Sequence, residues 1–308
     1  MGYLPKGVTP ETYPFKGKYL PVRGGIRLHY LDEGAGKPVL MLHGNPSWSF
    51  YYRDLALALK DSRRVIVPDH IGCGLSDKPG DGRYDYTLQS RVEDIEALID
   101  SLDLKEGITL VVHDWGGMIG FAAAVRRPEL FKKLVVLNTA AFFLPGGKTF
   151  PGLLRLTRTP LGSLLVRGFN AFARGAAWTG CRRRRMPPEL RDAYCAPYAG
   201  WGDRIATLRF VQDIPLAPGD RAWDLVEETQ KKLPALSSLP MLICWGPEDF
   251  VFDSHFLEEW RRRFPSATVR EFPDCGHYIL EDAKEEVIPL IKDFILRDTM
   301  PHGVPFNS

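Results

Sequence analysis

Short apolar runs alternating with helically patterned stretches constrain this chain more than any other feature of its sequence. Pro38–Leu42 (PVLML), Arg64–Val67, Ile108–His113 (ITLVVH) and Lys133–Asn138 (KLVVLN) are too short for ordinary helices. Continuous rather than alternating hydrophobicity suits strands covered on both faces. Gly25–Glu33 reads as a further strand ahead of them. Phe50–Lys60, Thr87–Leu102 and Gly116–Arg126 lie between, with apolar residues at helical spacing such as Leu88, Val92, Ile95, Leu98 and Ile99. Strand and helix in alternation imply crossover connections and a parallel sheet.

The rhythm stops after Phe143 and resumes with a strand at Pro240–Trp245, a helix at Phe252–Phe264, a strand at Thr268–Phe272 and a last helix at Glu285–Arg297. Residues 144–234 hold helical patterns broken by prolines and no fully apolar run. The expected organisation is one sheet-based core, residues 1–143 and 235–308, with a helical cap at 144–234.

Composition narrows the function. With 40 Lys+Arg against 38 Asp+Glu the net charge is +2, not the basic excess of a dedicated nucleic-acid binder. No nucleic-acid partner is expected. Five scattered cysteines without a C-x-x-C pair suggest neither a zinc site nor a disulfide framework, so a reducing cytoplasm is the expected location. Met1 to Phe15 has no apolar run resembling a secretory signal, and no stretch approaches the ~20 apolar residues of a membrane span. No metal or cofactor is expected.

Ligands of open parallel sheets bind beyond the carboxyl ends of the strands, so residues just past each apolar run carry the chemistry. Asp114 follows ITLVVH and precedes Trp115-Gly116-Gly117, the strand–turn–helix layout of a nucleophile elbow. An Asp there is also a common N-cap, and Val112 stands where the elbow has its first glycine. Asp249 follows PMLICWGPE, and His277 follows the last strand in Asp274-Cys275-Gly276-His277. Nucleophile, acid, histidine is the chain order of one triad class, in which Asp249 would orient and charge-balance the His277 imidazole. His43-Gly44-Asn45-Pro46 follows PVLML, so the backbone N–H groups of Asn45 and Trp115 are positioned to form an oxyanion hole. Both residues also carry side-chain N–H donors for a leaving anion.

HGNPSWSFYYR (His43–Arg53), PDHIGCGLSDKP (Pro68–Pro79), VVHDWGG (Val111–Gly117) and DCGHYILED (Asp274–Asp282) together resemble the haloalkane dehalogenase family of α/β-hydrolases from about Tyr19 to Leu296. The resemblance implies an α/β-hydrolase fold: a mostly parallel eight-stranded sheet, helices on both faces and an inserted helical cap. It implies Asp114 as nucleophile, His277 as base, Asp249 as acid, and Asn45 with Trp115 as the anion-holding pair. Asn138 stands after the sixth strand where some dehalogenases have a Glu acid. Asp249 combined with Asn45 and Trp115 is similar to the third subfamily, which includes the β-lactone decarboxylases of bacterial long-chain olefin biosynthesis. The expected reaction is decarboxylation of a cis-dialkyl β-lactone to an olefin, with haloalkane hydrolysis as the alternative.

A carboxylate nucleophile suits a saturated carbon bearing a leaving group, either halide or the lactone's own carboxylate. Attack at the lactone carbonyl is a second open route. Cap residues Leu153, Leu154, Leu161, Leu164, Leu165, Phe169, Phe172, Phe210 and Val211 could line an alkyl channel, although most are expected simply to pack. An epoxide hydrolase would need two cap tyrosines, for which Tyr194 and Tyr198 are available, but Asn45 argues against it. A non-catalytic binding member of the fold would be expected to lose part of the triad. Arg155 to Arg209 carries 11 Arg and three acidic residues, a net +8 that leaves −6 elsewhere. That bias, centred on Arg182, Arg183, Arg184 and Arg185, predicts a face for an acidic partner or membrane surface, with other olefin-biosynthesis enzymes implied by the resemblance.

Overall fold

A computed structural model describes residues 4–297. In chain order it contains β1 (Lys18–Val22), β2 (Ile26–Glu33), β3 (Pro38–Leu42), α1 (Arg53–Leu59), β4 (Arg64–Pro68), α2 (Leu88–Ser101), β5 (Ile108–Asp114), α3 (Trp115–Arg126) and β6 (Phe131–Thr139). Then follow α4 (Gly152–Leu156), α5 (Pro160–Phe169), α6 (Ala171–Thr179), α7 (Pro188–Cys195), α8 (Ile205–Gln212) and α9 (Trp223–Lys232). The chain returns through β7 (Met241–Trp245), α10 (Ser254–Arg263), β8 (Thr268–Glu271), α11 (Ile279–Asp282) and α12 (Lys284–Leu296).

The eight strands form one sheet in the order β1-β2-β4-β3-β5-β6-β7-β8. Only β1–β2 and β2–β4 are antiparallel; the remaining pairs are parallel. The fold expected from the sequence is therefore the fold observed. Strand pleating splits the continuous apolar runs between two cores. Leu40, Leu110, Val112, Leu134, Val136 and Ile243 face one layer with α2 and α3. Val39, Met41, Val111, Val135, Leu242 and Cys244 face the other with α1 and α12. Two buried faces are what an uninterrupted apolar strand requires. The five cysteines are unpaired thiols.

Differences from the expected elements are local. Strand β1 is an addition: KYLPV is partly exposed and contains Pro21, which an edge strand tolerates. Helix α10 starts at Ser254 rather than Phe252 because Asp253 caps it, accepting the His255 N–H. Helix α9 falls within 144–234 yet packs on α3, and its Leu225 and Val226 join the core beneath the sheet. No helix among the described residues is long and apolar enough to cross a membrane.

Candidate active site

The ends of β3, β5, β7 and β8 bring the candidate residues together. Asp114 ends β5 with φ +51° and ψ −126°, a strained conformation for a residue bearing a Cβ. The turn is locked by neighbours. Thr139 Oγ1 donates to the Asp114 carbonyl, and a Cβ on Gly116 would lie 1.9 Å from the Leu42 carbonyl oxygen. Glycine there lets α3 start directly against β3. A Cβ on Gly44 would in turn meet Asp114 Oδ1 at 2.0 Å, so Gly44 makes room for the carboxylate itself.

The Asn45 N–H donates to Asp114 Oδ1 at 2.5 Å, and the Trp115 N–H also bonds this carboxylate. These are the two backbone donors expected from the sequence, and both hold the one carboxylate. The other, Oδ2, lies 3.8 Å from His277 Nε2. His277 Nδ1 bonds Asp249 Oδ2 at 2.7 Å. Asp249 is buried and its Oδ1 accepts the Val251 N–H at 2.8 Å. Burial pushes the Asp114 carboxyl above the ordinary carboxylate range, against the pull of His277 and the Asn45 and Trp115 donors. Burial works against the His277 imidazolium, but Asp249 and then Asp114 outweigh it, so its pKa stands above the usual value. The Asn45 side-chain Nδ2 is bound to the Thr207 carbonyl of α8 at 3.0 Å, which leaves one amide hydrogen for a ligand. The Trp115 indole N–H has no protein acceptor among the described residues.

Asn138 has a role that sequence reasoning missed. It is buried at the end of β6 with φ +33°. Its Nδ2 donates to the Gly246 carbonyl at 2.8 Å and to Asp249 Oδ2 at 3.2 Å, and its Oδ1 accepts the Gly246 N–H at 2.9 Å. Asn138 thus fixes the loop after β7 and holds the carboxylate that orients His277. The one signal in the sequence was a polar side chain at a strand end.

Asp114, His277, Asn45 and Trp115 open onto a cavity of about 460 Å³ with a mostly apolar lining. Of the residues considered for an alkyl channel, Leu153, Leu154, Leu165, Phe172 and Val211 line it. Leu161, Leu164 and Phe169 face outward instead, and Phe210 is buried against Trp115. Tyr194 donates to Glu281 and Tyr198 to the Ser47 carbonyl; neither lines the cavity. The tyrosine pair of an epoxide hydrolase is therefore not at this site.

The arginine run is partly consumed by the core. Arg183 pairs with Asp274 and Glu286, and Arg184 reaches Glu285. Arg182 contributes to the cavity wall. The buried Asp282 carboxylate accepts the backbone N–H groups of Gly276 (2.7 Å), Arg182 (2.8 Å) and Arg184 (3.3 Å). It ties this segment to the loop that carries His277.

A family model described as alpha/beta hydrolase fold matches residues 37–284. The chain is 60% identical over 283 residues to the cis-3-alkyl-4-alkyloxetan-2-one decarboxylase of Shewanella oneidensis, covering 92% of this chain and 89% of that protein. It is 50% identical over 301 residues to the protein of the same name from Xanthomonas campestris pv. campestris, covering 95% of this chain and 100% of that one. Among solved structures, the haloalkane dehalogenase DbeA of Bradyrhizobium elkani superimposes with a TM-score of 0.80 at 27% identity, covering 91% of this chain and 97% of that chain.

Proposed function

This chain belongs to the α/β-hydrolase family, in its haloalkane dehalogenase branch, and we propose that it decarboxylates cis-3,4-dialkyl β-lactones to cis-olefins and CO2. An oxetan-2-one is a β-lactone, so the reading gives this chain the substrate class in the relatives' name. The observation that carries it is 60% identity to such a decarboxylase across nearly the whole of both chains. An apolar cavity meeting a carboxylate nucleophile supports it from the chemistry.

Asp114 Oδ2 attacks C4 of the ring, forming a C4–O bond as the ring C4–O bond breaks. The ring oxygen's electrons remain on the substrate's own carboxylate, the leaving group. The free donors of Asn45 and Trp115 receive that anion. The C2–C3 bond then breaks and its electron pair forms the C3=C4 double bond. CO2 leaves, and the C4–O bond to Asp114 returns its electrons to the carboxylate. No water, oxidant or metal enters the balance. Inversion at C4 followed by anti elimination is net syn, so a cis lactone gives a cis olefin. The Asn45 and Trp115 N–H groups hold the Asp114 carboxylate still while Oδ2 reacts. His277, oriented by Asp249 and facing Asp114, is placed to balance charge as the carboxylate is consumed and regenerated.

This chemistry suits the last step of long-chain olefin synthesis in the cytoplasm, beside the enzymes that build the lactone. Arg182 and Arg185, which have no ion-pair partner among the described residues, are the basic side chains we assign to contact with those enzymes. The deciding experiment supplies a cis-3,4-dialkyl oxetan-2-one and a haloalkane separately. Cis-olefin with equimolar CO2 from the lactone is the expected result. Halide release with no olefin would replace this reading with haloalkane hydrolysis.

A further inference from the structure

The cap carries an outward surface that catalysis does not use. Residues 144–188 contain nine Lys or Arg and no Asp or Glu. Within the same stretch lie six of the ten large apolar side chains exposed among the described residues. On α5, Leu161 (57% exposed) and Leu164 (48%) point outward one turn apart while Gly162 and Val166 are buried. The helix therefore has an apolar face on both sides. A Cβ on Gly168 would lie 3.3 Å from Leu164 Cδ1 and 3.8 Å from Trp201 Cζ3, which makes these three one continuous surface. The Arg167 guanidinium lies over the Trp201 ring, and exposed Phe169 (63%) ends the helix.

This surface leads to the mouth of the cavity. Leu153 on α4, 75% exposed, is also part of the cavity wall, as are the exposed Leu144, Leu216 and Phe250. Exposed Arg155 and Arg174 stand on α4 and α6. Apolar side chains interspersed with arginines, on a stretch that holds no Asp or Glu from 144 to 188, are the composition of a helix surface lying in a lipid interface. An acidic protein would satisfy the charges, but it gives no reason for a bare apolar rim around the opening through which an insoluble substrate enters.

We propose that the outer face of α4, α5 and α6 docks on an anionic phospholipid surface, so that alkyl chains pass from the bilayer into the cavity without crossing water. The proposal rests on the reading that the substrate carries long alkyl chains; its test does not require turnover.

The full chain is sedimented with vesicles of phosphatidylcholine alone and of equal parts phosphatidylcholine and phosphatidylglycerol. Binding about tenfold or more tighter to the anionic vesicles, weakening with salt, is expected. The triple variant Leu161→Gln, Leu164→Gln, Phe169→Gln lies outside the cavity. It should bind the anionic vesicles about tenfold or more weakly, with an unchanged Tm and unchanged decarboxylation of a short-chain, water-soluble β-lactone. Equal binding by wild type and variant would overturn the proposal. So would absence of vesicle binding, including the case in which an acidic soluble protein binds this face instead. If the lactone is not a substrate but vesicles are still bound, the functional reading fails and the docking surface stands.

Discussion

At the scale of single residues, the site depends on buried polar groups whose partners are remote in sequence. Asn138 and Asp249 stand 111 positions apart. Removing the amide with Asn138→Ala leaves Asp249 Oδ2 with one bond fewer in a buried setting, a loss of about 1–3 kcal/mol. Olefin formation should slow roughly ten- to a hundredfold, mainly in kcat, and Asn138→Ser should recover part of it; steady-state kinetics decide. Asp69 shows the same logic in the scaffold. Burial opposes its charge, yet His29, then His43 and the Leu75 N–H, outweigh it and bring its pKa to about 2, below the ordinary 3.8. Because the folded value is the lower one, the stabilisation is present above pH 3.8 and lost as pH falls toward 2. It amounts to about 2 kcal/mol, and Asp69→Asn should lower neutral-pH stability by at least that and flatten the acid limb of a urea-denaturation series. The meeting of Asp114, His277 and Asp249 was legible in the sequence because parallel sheets gather polar residues at strand ends. Asn138 was not, since its task is set by a loop that only strand pairing brings alongside.

At the scale of elements, continuous apolar runs named the parallel strands, and helical spacing named α2, α3 and α12 closely enough to place the elbow. Strand β1 escaped because an edge strand buries too little to carry an apolar signature. The arginine run was legible as charge but not as contact: its partners Asp274, Glu285 and Glu286 arrive from the other side of the cap. The clamp between these segments is Asp282 at the end of α11. Asp282→Ala would strand three backbone N–H groups, at about 1–3 kcal/mol for each one left unsatisfied. Hydrogen exchange should then accelerate at 180–184 and at Gly276 and His277 ahead of the sheet, and KM for a long-chain lactone should rise. Unchanged protection at 180–184 would mean that the ion pairs alone hold the cap.

At the scale of the molecule, the near-zero net charge conceals a division of labour. The sheet supplies a rigid, buried frame for a carboxylate held by two backbone donors, while six helices between β6 and β7 supply most of the apolar cavity wall and a basic exterior with exposed apolar side chains. The run of helices between β6 and β7 was legible from the break in rhythm at Phe143. The cavity wall was not, because which face of each cap helix turns inward is decided by packing rather than by pattern. Everything proposed for the reaction passes through Asp114. The most direct measurement is the rate of cis-olefin formation from a cis-3,4-dialkyl oxetan-2-one by wild type and by Asp114→Asn. A variant that folds with an unchanged circular dichroism spectrum and loses on the order of 10⁴-fold or more in rate is the expected result. An Asp114→Asn protein that forms olefin at the wild-type rate would contradict it.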